Sequence, residues 1–365
     1  MQKFIFFNGQ PMKTKRFSIS LLSAAATALA AAALLVATGA QARDLAVVGF
    51  GGALQEAFRT AYFAPYAKAK GVKVVEDSYE GGIAKQKAMV DSGNVTWDLV
   101  QMDENEMTAA CEQGLLERID KAQLPNANDV DASAFAKCGV GAFVWSEVLT
   151  YDGAKFGANG PKSWADFWDT RKWPGKRGLR KQPRMTLEIA LLADGVAPVD
   201  IYKVLATKKG QDRAFARLDK LKDSIVWWET GAQPLEWLNS GAVSVTAAYS
   251  GRIAVAAKQG KTFPVVWTNQ LYSMDYWTVI KGTPNKAQAL DLLNFSLAAD
   301  NQAAFAQAIP YGTLNKRATP LIPKATQDLL PTTPEHLTSA VLLDTAFWLD
   351  HETELLQRFT QWVGK

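Results

Sequence analysis

The chain has 365 residues, of which 48% are hydrophobic and 21% charged. This length is enough for two ordinary domains with their own cores, and the composition is too apolar for intrinsic disorder. The formal net charge is +4, but residues 1–42 carry four basic residues and no acidic one. The remainder is formally neutral, so its charge does not favour binding to nucleic acid or to a membrane surface.

The N-terminal segment has the pattern of a secretory signal peptide. Met12 precedes the basic run KTKR, residues 21–37 are almost continuously Ala and Leu, and the sequence AQA at 40–42 is a small-x-small cleavage site. We predict a signal peptide over residues 1–42, with Met12 as an alternative start, and export to the periplasm of a Gram-negative bacterium. A transmembrane anchor is disfavoured because the apolar run is short and no basic cluster follows it.

The two cysteines are Cys111 and Cys138. In an exported chain a single pair is most simply explained by one disulfide, which would stabilise the fold by about 3 kcal/mol through loop closure. Two buried free thiols are the alternative. Cysteines so far apart exclude a CxxC redox motif and a zinc site built on cysteine pairs.

Strands and helices alternate in the first third of the mature chain. The predicted order is strand 45–48, helix 54–70, strand 71–75, helix 83–92, strand 97–100 and helix 104–113. This order predicts a mixed or parallel sheet flanked by helices, with ligands bound at the carboxyl ends of the strands. Those ends carry Phe50, Tyr79 with Glu80, and Asp103.

The later segments continue the α/β pattern. An apolar strand is predicted near 143–151, a capping box starts a helix at Ser163, and residues 200–222 fit one amphipathic helix. The loop 180–184 carries three cations before a helix N-terminus, which suits either an anion site or a solvated basic turn. Residues 244–280 offer aromatic, acidic and guanidinium side chains between β-rich segments, with 250–252 predicted as a turn. That stretch favours the wall of a binding pocket.

Several catalytic and cofactor chemistries are excluded. The two histidines, His336 and His351, lie near the C-terminus, and no G-x-S-x-G elbow is present. Residues 49–54 resemble a dinucleotide fingerprint, but Leu54 stands where its third glycine or alanine is required. We therefore predict no enzyme activity, no cofactor and no metal. The alternative is an exported enzyme that uses Asp103 or Glu80 as a general base.

A series of short motifs resembles the bacterial periplasmic solute-binding proteins of the spermidine/putrescine type, which are extracellular solute-binding family 1-like. The motifs, in order over nearly all of the mature chain, are SYEGG at 78–82, WDLV at 97–100, GLLE at 114–117, SWADFW at 163–168, YSGR at 249–252, Met274-Asp275 and PYGTLN at 310–315.

This resemblance implies a two-lobed, type II-like α/β fold with mixed sheets and a ligand in the cleft between the lobes. It places lobe 1 at 43–150 and 276–318, and lobe 2 at 151–275 and 319–365. It also implies a monomer that delivers a small amine ligand to an inner-membrane ABC permease and its ATPase. We predict no nucleic-acid partner. It implies that Tyr249 and Tyr311 stack on the ligand and that Asp275 pairs with its amine, with Trp145, Trp228 and Trp348 as further walls or core residues. The predicted ligand-binding residues add those at the strand ends and in the charged segments to this set: Phe50, Tyr79, Asp103, Gln182, Arg184, Tyr249, Arg252, Asp275, Tyr311 and Trp348.

Two departures from the polyamine pattern concern charge. Lys181, Gln182 and Met185 stand where polyamine binders have acidic residues, with Arg184 beside them, and Ser273 replaces a tryptophan. A pocket that loses carboxylates and gains cations binds a long polycation poorly. Putrescine and spermidine remain one ligand class. The other is an ω-amino acid such as γ-aminobutyrate, with Asp275 or Asp103 binding the amine and Arg184 or Arg252 the carboxylate.

Overall fold

The computed structural model describes residues 43–364. The predicted signal peptide and its cleavage site lie outside these residues. From Asp44 onward the chain forms one compact unit, so the lobe boundaries remain a prediction. Among the described residues, no helix combines the length and apolarity that crossing a membrane requires.

Ten strands form one mixed sheet within the described residues. They are β1 (Leu45–Gly49), β2 (Val74–Ser78), β3 (Leu99–Asp103), β4 (Phe135–Ala136), β5 (Gly139–Tyr151), β6 (Arg177–Arg180), β7 (Ile225–Trp228), β8 (Val245–Tyr249), β9 (Val265–Val279) and β10 (Val341–Leu342). The strand order is β2-β1-β3-β9-β5-β8-β6-β7, with β10 beside β9 and β4 beside β5.

The sheet consists of two parallel groups joined by two long antiparallel strands. At one end β1 pairs in parallel with β2 and β3, and at the other β6 pairs in parallel with β7 and β8. Between them β9 and β5 are antiparallel to each other and to the group that each one borders. The predicted α/β class with a mixed sheet is confirmed.

Helices cover the sheet and make up much of the C-terminal segment. Their bounds are α1 (Gly52–Phe58), α2 (Ala64–Lys70), α3 (Ala84–Ser92), α4 (Glu104–Glu112), α5 (Gly153–Phe156), α6 (Trp164–Trp168), α7 (Thr186–Ala193), α8 (Ile201–Leu205), α9 (Lys208–Asp219), α10 (Gln233–Ser240), α11 (Ser250–Lys258), α12 (Lys286–Ser296), α13 (Ala299–Ala308), α14 (Lys324–Gln327), α15 (Pro334–Leu337) and α16 (Thr345–Val363). A π-helical turn, Arg59–Phe63, joins α1 to α2.

Two predicted elements were wrong. Residues 250–252, predicted as a turn, are the first turn of α11, whose small residues and Ile253 pack on the sheet. The single helix predicted over 200–222 is divided into α8 and α9, because the Thr207 side chain accepts a hydrogen bond from the Gly210 N–H and starts a new helix there.

The predicted disulfide is confirmed, since Cys111 and Cys138 are bonded. The bond ties the end of α4 to the residue just before β5. Both α4 and β5 contribute side chains to the cavity described below, so the disulfide restrains the positions of two elements that line it.

An aromatic core supports the centre of the sheet. The Phe58 ring lies 4.7 Å from that of Trp277 and 5.2 Å from that of Phe305, centroid to centroid. Phe143 on β5 stacks on Tyr311 at 5.0 Å. These contacts fix Tyr311, which follows α13, against a central strand.

Candidate functional site

A cavity of about 60 Å³ lies at the carboxyl ends of the parallel strands. Its lining includes Phe50 after β1, Asp103 at the end of β3, Arg180 at the end of β6, Glu229 after β7 and Tyr249 at the end of β8. Strands of both parallel groups therefore converge on one space, which is where open α/β sheets bind ligands. The rest of the lining is Leu54, Glu80, Gly81, Glu106, Phe143, Trp145, Gly231, Arg252, Asp275 and Tyr311.

Asp275 places a buried carboxylate on the central strand β9. The register pairs it with Asp103 on β3 and with Phe143 on β5. Its oxygens accept hydrogen bonds from the Trp145 Nε1–H, at 2.6 Å, and from the Gln101 side-chain amide. Burial raises the pKa of Asp275 to about 7, with a further contribution from Asp103, and the two hydrogen bonds only partly oppose this. An ammonium group in the cavity would stabilise its ionised form.

Asp103 is already occupied by protein groups. One of its oxygens accepts a hydrogen bond from the Glu106 backbone N–H at 3.0 Å, which caps α4. The other is 2.8 Å from Nη1 of Arg184, a partly buried ion pair between the end of β3 and the loop after β6. Each oxygen of Asp103 and of Asp275 accepts one hydrogen bond, but one donor to Asp103 is a guanidinium, whereas both donors to Asp275 are neutral.

Two guanidinium groups reach the cavity. Arg252 on α11 donates from Nη2 to the carbonyl oxygens of Phe50, at 3.3 Å, and Gly51, at 3.2 Å. A Cβ on Gly52 would lie 2.6 Å from Arg252 Nη1, and Gly52 has a φ of +61°, so glycine is required there on both counts. Arg180 donates from Nη1 to the Tyr249 hydroxyl at 2.8 Å.

Aromatic rings form the walls between these charged groups. The Trp145 ring packs edge-to-face on Tyr249 at 5.5 Å, and Tyr249 packs on Trp228 at 5.9 Å. The Arg180 guanidinium lies over the Trp228 ring at 5.6 Å. Such faces bind alkyl chains and cations without specifying hydrogen bonds.

Six of the ten sequence-predicted site residues meet at this cavity. They are Phe50, Asp103, Tyr249, Arg252, Asp275 and Tyr311. Asp103, Tyr249, Arg252 and Asp275 lie on β3, β8, α11 and β9, and Phe50 and Tyr311 follow β1 and α13. Their proximity follows from the strand order and register. Glu80, the other candidate base, also lines the cavity but is exposed.

The other four predicted residues lie outside the lining. Tyr79 stacks on Phe50 at 5.0 Å and donates its hydroxyl to the Gln101 carbonyl. Gln182 lies in the loop after β6, where its backbone N–H donates to the Arg180 carbonyl. Arg184 pairs with Asp103, and Trp348, fully buried in α16, donates its Nε1–H to Glu188 at 2.8 Å.

Arg180 was considered only as part of the basic loop 180–184 and was not among the ten predicted site residues, and Glu106 was not considered. The position of Arg180 at the end of a parallel strand is a second signal for it. Glu106 stands three residues after the helix cap Asp103, its carboxylate accepts a hydrogen bond from the Gly82 N–H, and its Oε2 lies 3.3 Å from the Tyr79 hydroxyl oxygen. Burial and the neighbouring Asp103 raise the pKa of Glu106 above its ordinary value. Among residues 43–364, no cluster of three or more His, Cys, Asp or Glu side chains could hold a metal ion.

The cavity is lined by five carboxylates, of which only Asp275 is fully buried, by two guanidinium groups and by aromatic rings, and this lining suits small charged solutes. The chain belongs to the bacterial extracellular solute-binding protein family, whose model matches residues 61–332. The predicted family and its fold are therefore confirmed.

The chain is similar to three known members of this class over most of its length. It is 48% identical to the gamma-aminobutyric acid-binding protein of Pseudomonas aeruginosa, over 91% of this chain and 94% of that protein. It is 27% identical to the spermidine/putrescine-binding periplasmic protein of Escherichia coli, over 70% and 74% of the two chains. The solved structure of the Atu4243-GABA receptor is 31% identical and has a TM-score of 0.77, with 88% and 98% of the chains covered.

Proposed function

We propose that this protein is the periplasmic solute-binding component of an ABC importer, and that its ligand is an ω-amino acid of the γ-aminobutyrate class. The observation that carries the ligand proposal is the charge arrangement of the cavity. A buried carboxylate, Asp275, has only neutral hydrogen-bond partners, and the same cavity is lined by Arg180 and Arg252. The P. aeruginosa relative supports the same ligand class.

The ligand amine is assigned to Asp275. Trp145 and Gln101 each use one hydrogen bond on its carboxylate, which leaves further lone pairs for an ammonium. The rings of Trp145 and Tyr249 stand beside it and supply cation–π faces. An ammonium at this position gains both a charge-assisted hydrogen bond and aromatic contact.

The ligand carboxylate is assigned to Arg252, with Arg180 as a second cation on the same cavity. The planar guanidinium binds a carboxylate through two parallel hydrogen bonds. Gly52 and Gly231 leave room for the Arg252 side chain, since a Cβ would lie 2.6 Å from its Nη1 at the first and 2.9 Å from its Nε at the second. A diamine such as putrescine would place its second ammonium near these cations, which disfavours it.

Calorimetry on the mature protein tests this assignment with ligands that lose one end at a time. γ-Aminobutyrate is compared with its amide, which lacks the carboxylate charge, with butyrate, which lacks the amine, and with putrescine. We expect γ-aminobutyrate to bind at least tenfold more tightly than each of the others. At 100 times its dissociation constant it should stabilise the fold by about 2.7 kcal/mol.

The variant Arg252→Met should lose γ-aminobutyrate affinity and show little difference between the acid and its amide. Arg358→Met is the matched control, because Arg358 pairs with Asp212 on α9, outside the cavity lining. Tighter binding of putrescine than of γ-aminobutyrate would refute the ligand class. Recovery of a chemically altered ligand after incubation would instead favour the enzyme alternative.

Export and delivery are tested in cells. The native protein should be recovered from the periplasm with a mature N-terminus at Arg43. Deletion of the gene should abolish uptake of labelled γ-aminobutyrate, and the full chain should restore it. Normal uptake in the deletion strain would count against the importer role.

A further inference from the structure

We propose that Arg184 is a specificity-determining residue that excludes diamines by occupying Asp103, which leaves Asp275 as the carboxylate that receives the ligand amine. This inference rests on the proposed function and refines it. Arg184 then acts through Asp103 and does not contact the ligand. The chemical distinction it makes is between ligands with one ammonium and ligands with two.

The geometry commits Arg184 to Asp103. Its side chain is buried, its Nη1 lies 2.8 Å from the Asp103 Oδ2, and it lies outside the cavity lining. Within residues 43–364, its Nε and Nη2 are buried without a hydrogen-bond partner. A buried cation with so few hydrogen bonds depends on the carboxylate beside it for compensation.

The backbone after Arg184 is held in a conformation that non-glycine residues rarely adopt. Met185 has φ +69° and ψ −41°, and its side chain is 1% exposed. The chain then enters α7, where the Ile189 N–H donates to the Met185 carbonyl. Such strain persists where the surrounding structure fixes it and is typical of functional sites. Here it turns the chain into α7 directly after Arg184 is placed against Asp103.

The charge balance explains the selectivity. Asp103 and Asp275 are register partners on adjacent strands, and both line the cavity. A diamine needs a carboxylate for each ammonium, and these two are placed to serve as such a pair. Because Arg184 neutralises Asp103, the second ammonium of a diamine finds no free charge there. The other lining carboxylates replace Asp103 poorly, since Glu80 and Glu229 are exposed, Glu229 pairs with Lys181, and burial and Asp103 raise the pKa of Glu106. A zwitterion has a single ammonium, which pairs with Asp275, so the neutralisation of Asp103 does not weaken its binding.

The test measures the ratio of the putrescine dissociation constant to that of γ-aminobutyrate by calorimetry at fixed pH and salt. In Arg184→Met the ratio should fall at least tenfold, about 1.4 kcal/mol, chiefly through tighter putrescine binding. In Arg184→Met combined with Asp103→Asn both charges are absent, and the ratio should return towards the wild-type value. Arg358→Met is the control for loss of a paired arginine and should leave the ratio unchanged.

A second variant keeps the test decisive if Arg184→Met does not fold. Asp103→Asn retains a residue that caps helices well and removes the carboxylate in contact with Arg184, which leaves Glu188 as a further carboxylate that interacts with it. The cavity side of Arg184 then carries a net positive charge, so the ratio should rise at least tenfold. An unchanged ratio in folded Arg184→Met, or in Asp103→Asn if the first variant is unfolded, would overturn the proposal. So would tight putrescine binding by the wild type.

Failure of the proposed function is a separate outcome. If the wild type binds no γ-aminobutyrate, the ligand assignment is wrong, and the role of Arg184 is then decided by putrescine alone. A gain of putrescine binding in Arg184→Met would support that role, and no gain would overturn it.

Discussion

Binding of an ω-amino acid should release a proton from Asp275 at mildly acidic pH. The carboxyl is buried on β9, and burial raises its pKa to about 7 in the unliganded protein. At pH 6 it is then about nine-tenths protonated. A ligand ammonium in contact with it favours the ionised form and lowers the pKa, so about 0.9 proton should leave for each ligand bound at pH 6, and about 0.1 at pH 8.

The size of the effect follows from the difference between the ordinary pKa of 3.8 and the value of about 7. At 1.36 kcal/mol for each pH unit, ionising Asp275 costs about 4 kcal/mol more in the folded, unliganded protein than in the unfolded chain. Because the folded-state pKa is raised, Asp275 makes the unliganded protein less stable as pH rises from about 4 to about 7. The same free energy opposes ligand binding at low pH, so affinity should increase about tenfold per pH unit up to pH 7 and then level off.

Calorimetry at pH 6 in several buffers of different ionisation enthalpy measures this proton release directly. The slope of the observed binding enthalpy against the buffer ionisation enthalpy gives the number of protons released. Asp275→Asn should remove the slope, measured at ligand concentrations that compensate for its weaker affinity. Glu147→Gln, which alters a buried carboxyl outside the cavity lining, should preserve it. A dissociation constant that stays the same from pH 5.5 to 8, with no buffer dependence, would refute the assignment of the amine to Asp275.

Three further substitutions separate ligand contacts from structural ones. Trp145→Phe keeps an aromatic ring but removes the N–H that donates to Asp275, so calorimetry should show about 10- to 100-fold weaker γ-aminobutyrate binding; unchanged affinity would contradict the role of this hydrogen bond. Trp348→Phe removes the donor to buried Glu188 and should lower the free energy of unfolding in urea by about 1 to 3 kcal/mol, while an altered dissociation constant would show that the ligand contacts Trp348 after all. Burial raises the pKa of Glu147 to about 8, so the stability that its protonated form contributes is lost as pH rises from 4.5 to 8. In urea unfolding, the free energy of unfolding of Glu147→Gln should therefore fall less between pH 6 and pH 9 than that of the wild type.

The location of the site could be predicted from sequence because it depends on a general property of α/β sheets. Alternating strands and helices place strand ends at one edge, and Phe50, Asp103 and Tyr249 are each at or just after such an end. The proximity of Asp275 to Asp103 could not be predicted from the sequence in the same way. It requires the antiparallel pairing of β9 with β3, which joins residues far apart in the chain and is not encoded in local spacing.

The partners of individual side chains could not be predicted, because they depend on tertiary packing. Arg184 was selected for its charge, but the residue that it pairs with lies 81 positions earlier. Trp348 was selected as an aromatic near the end of the chain, and the structure gives it a buried carboxylate, Glu188, as its partner. A charged or aromatic residue in a sequence indicates a capacity for an interaction, and only the fold decides which group uses it.

Arg184 and Arg252 both follow strands of the β6-β7-β8 group, and both contact residues of the β1-β2-β3 group. Arg184 follows β6 and pairs with Asp103 at the end of β3, and Arg252 follows β8 and donates to the carbonyls of Phe50 and Gly51 after β1. Asp275, by contrast, lies on a central strand that pairs with β3 and β5. The amine site is therefore built on the rigid centre of the sheet, whereas the carboxylate site depends on contacts between its two ends. A zwitterion that engages both Asp275 and Arg252 adds its own binding free energy to those contacts, which a simple amine does not.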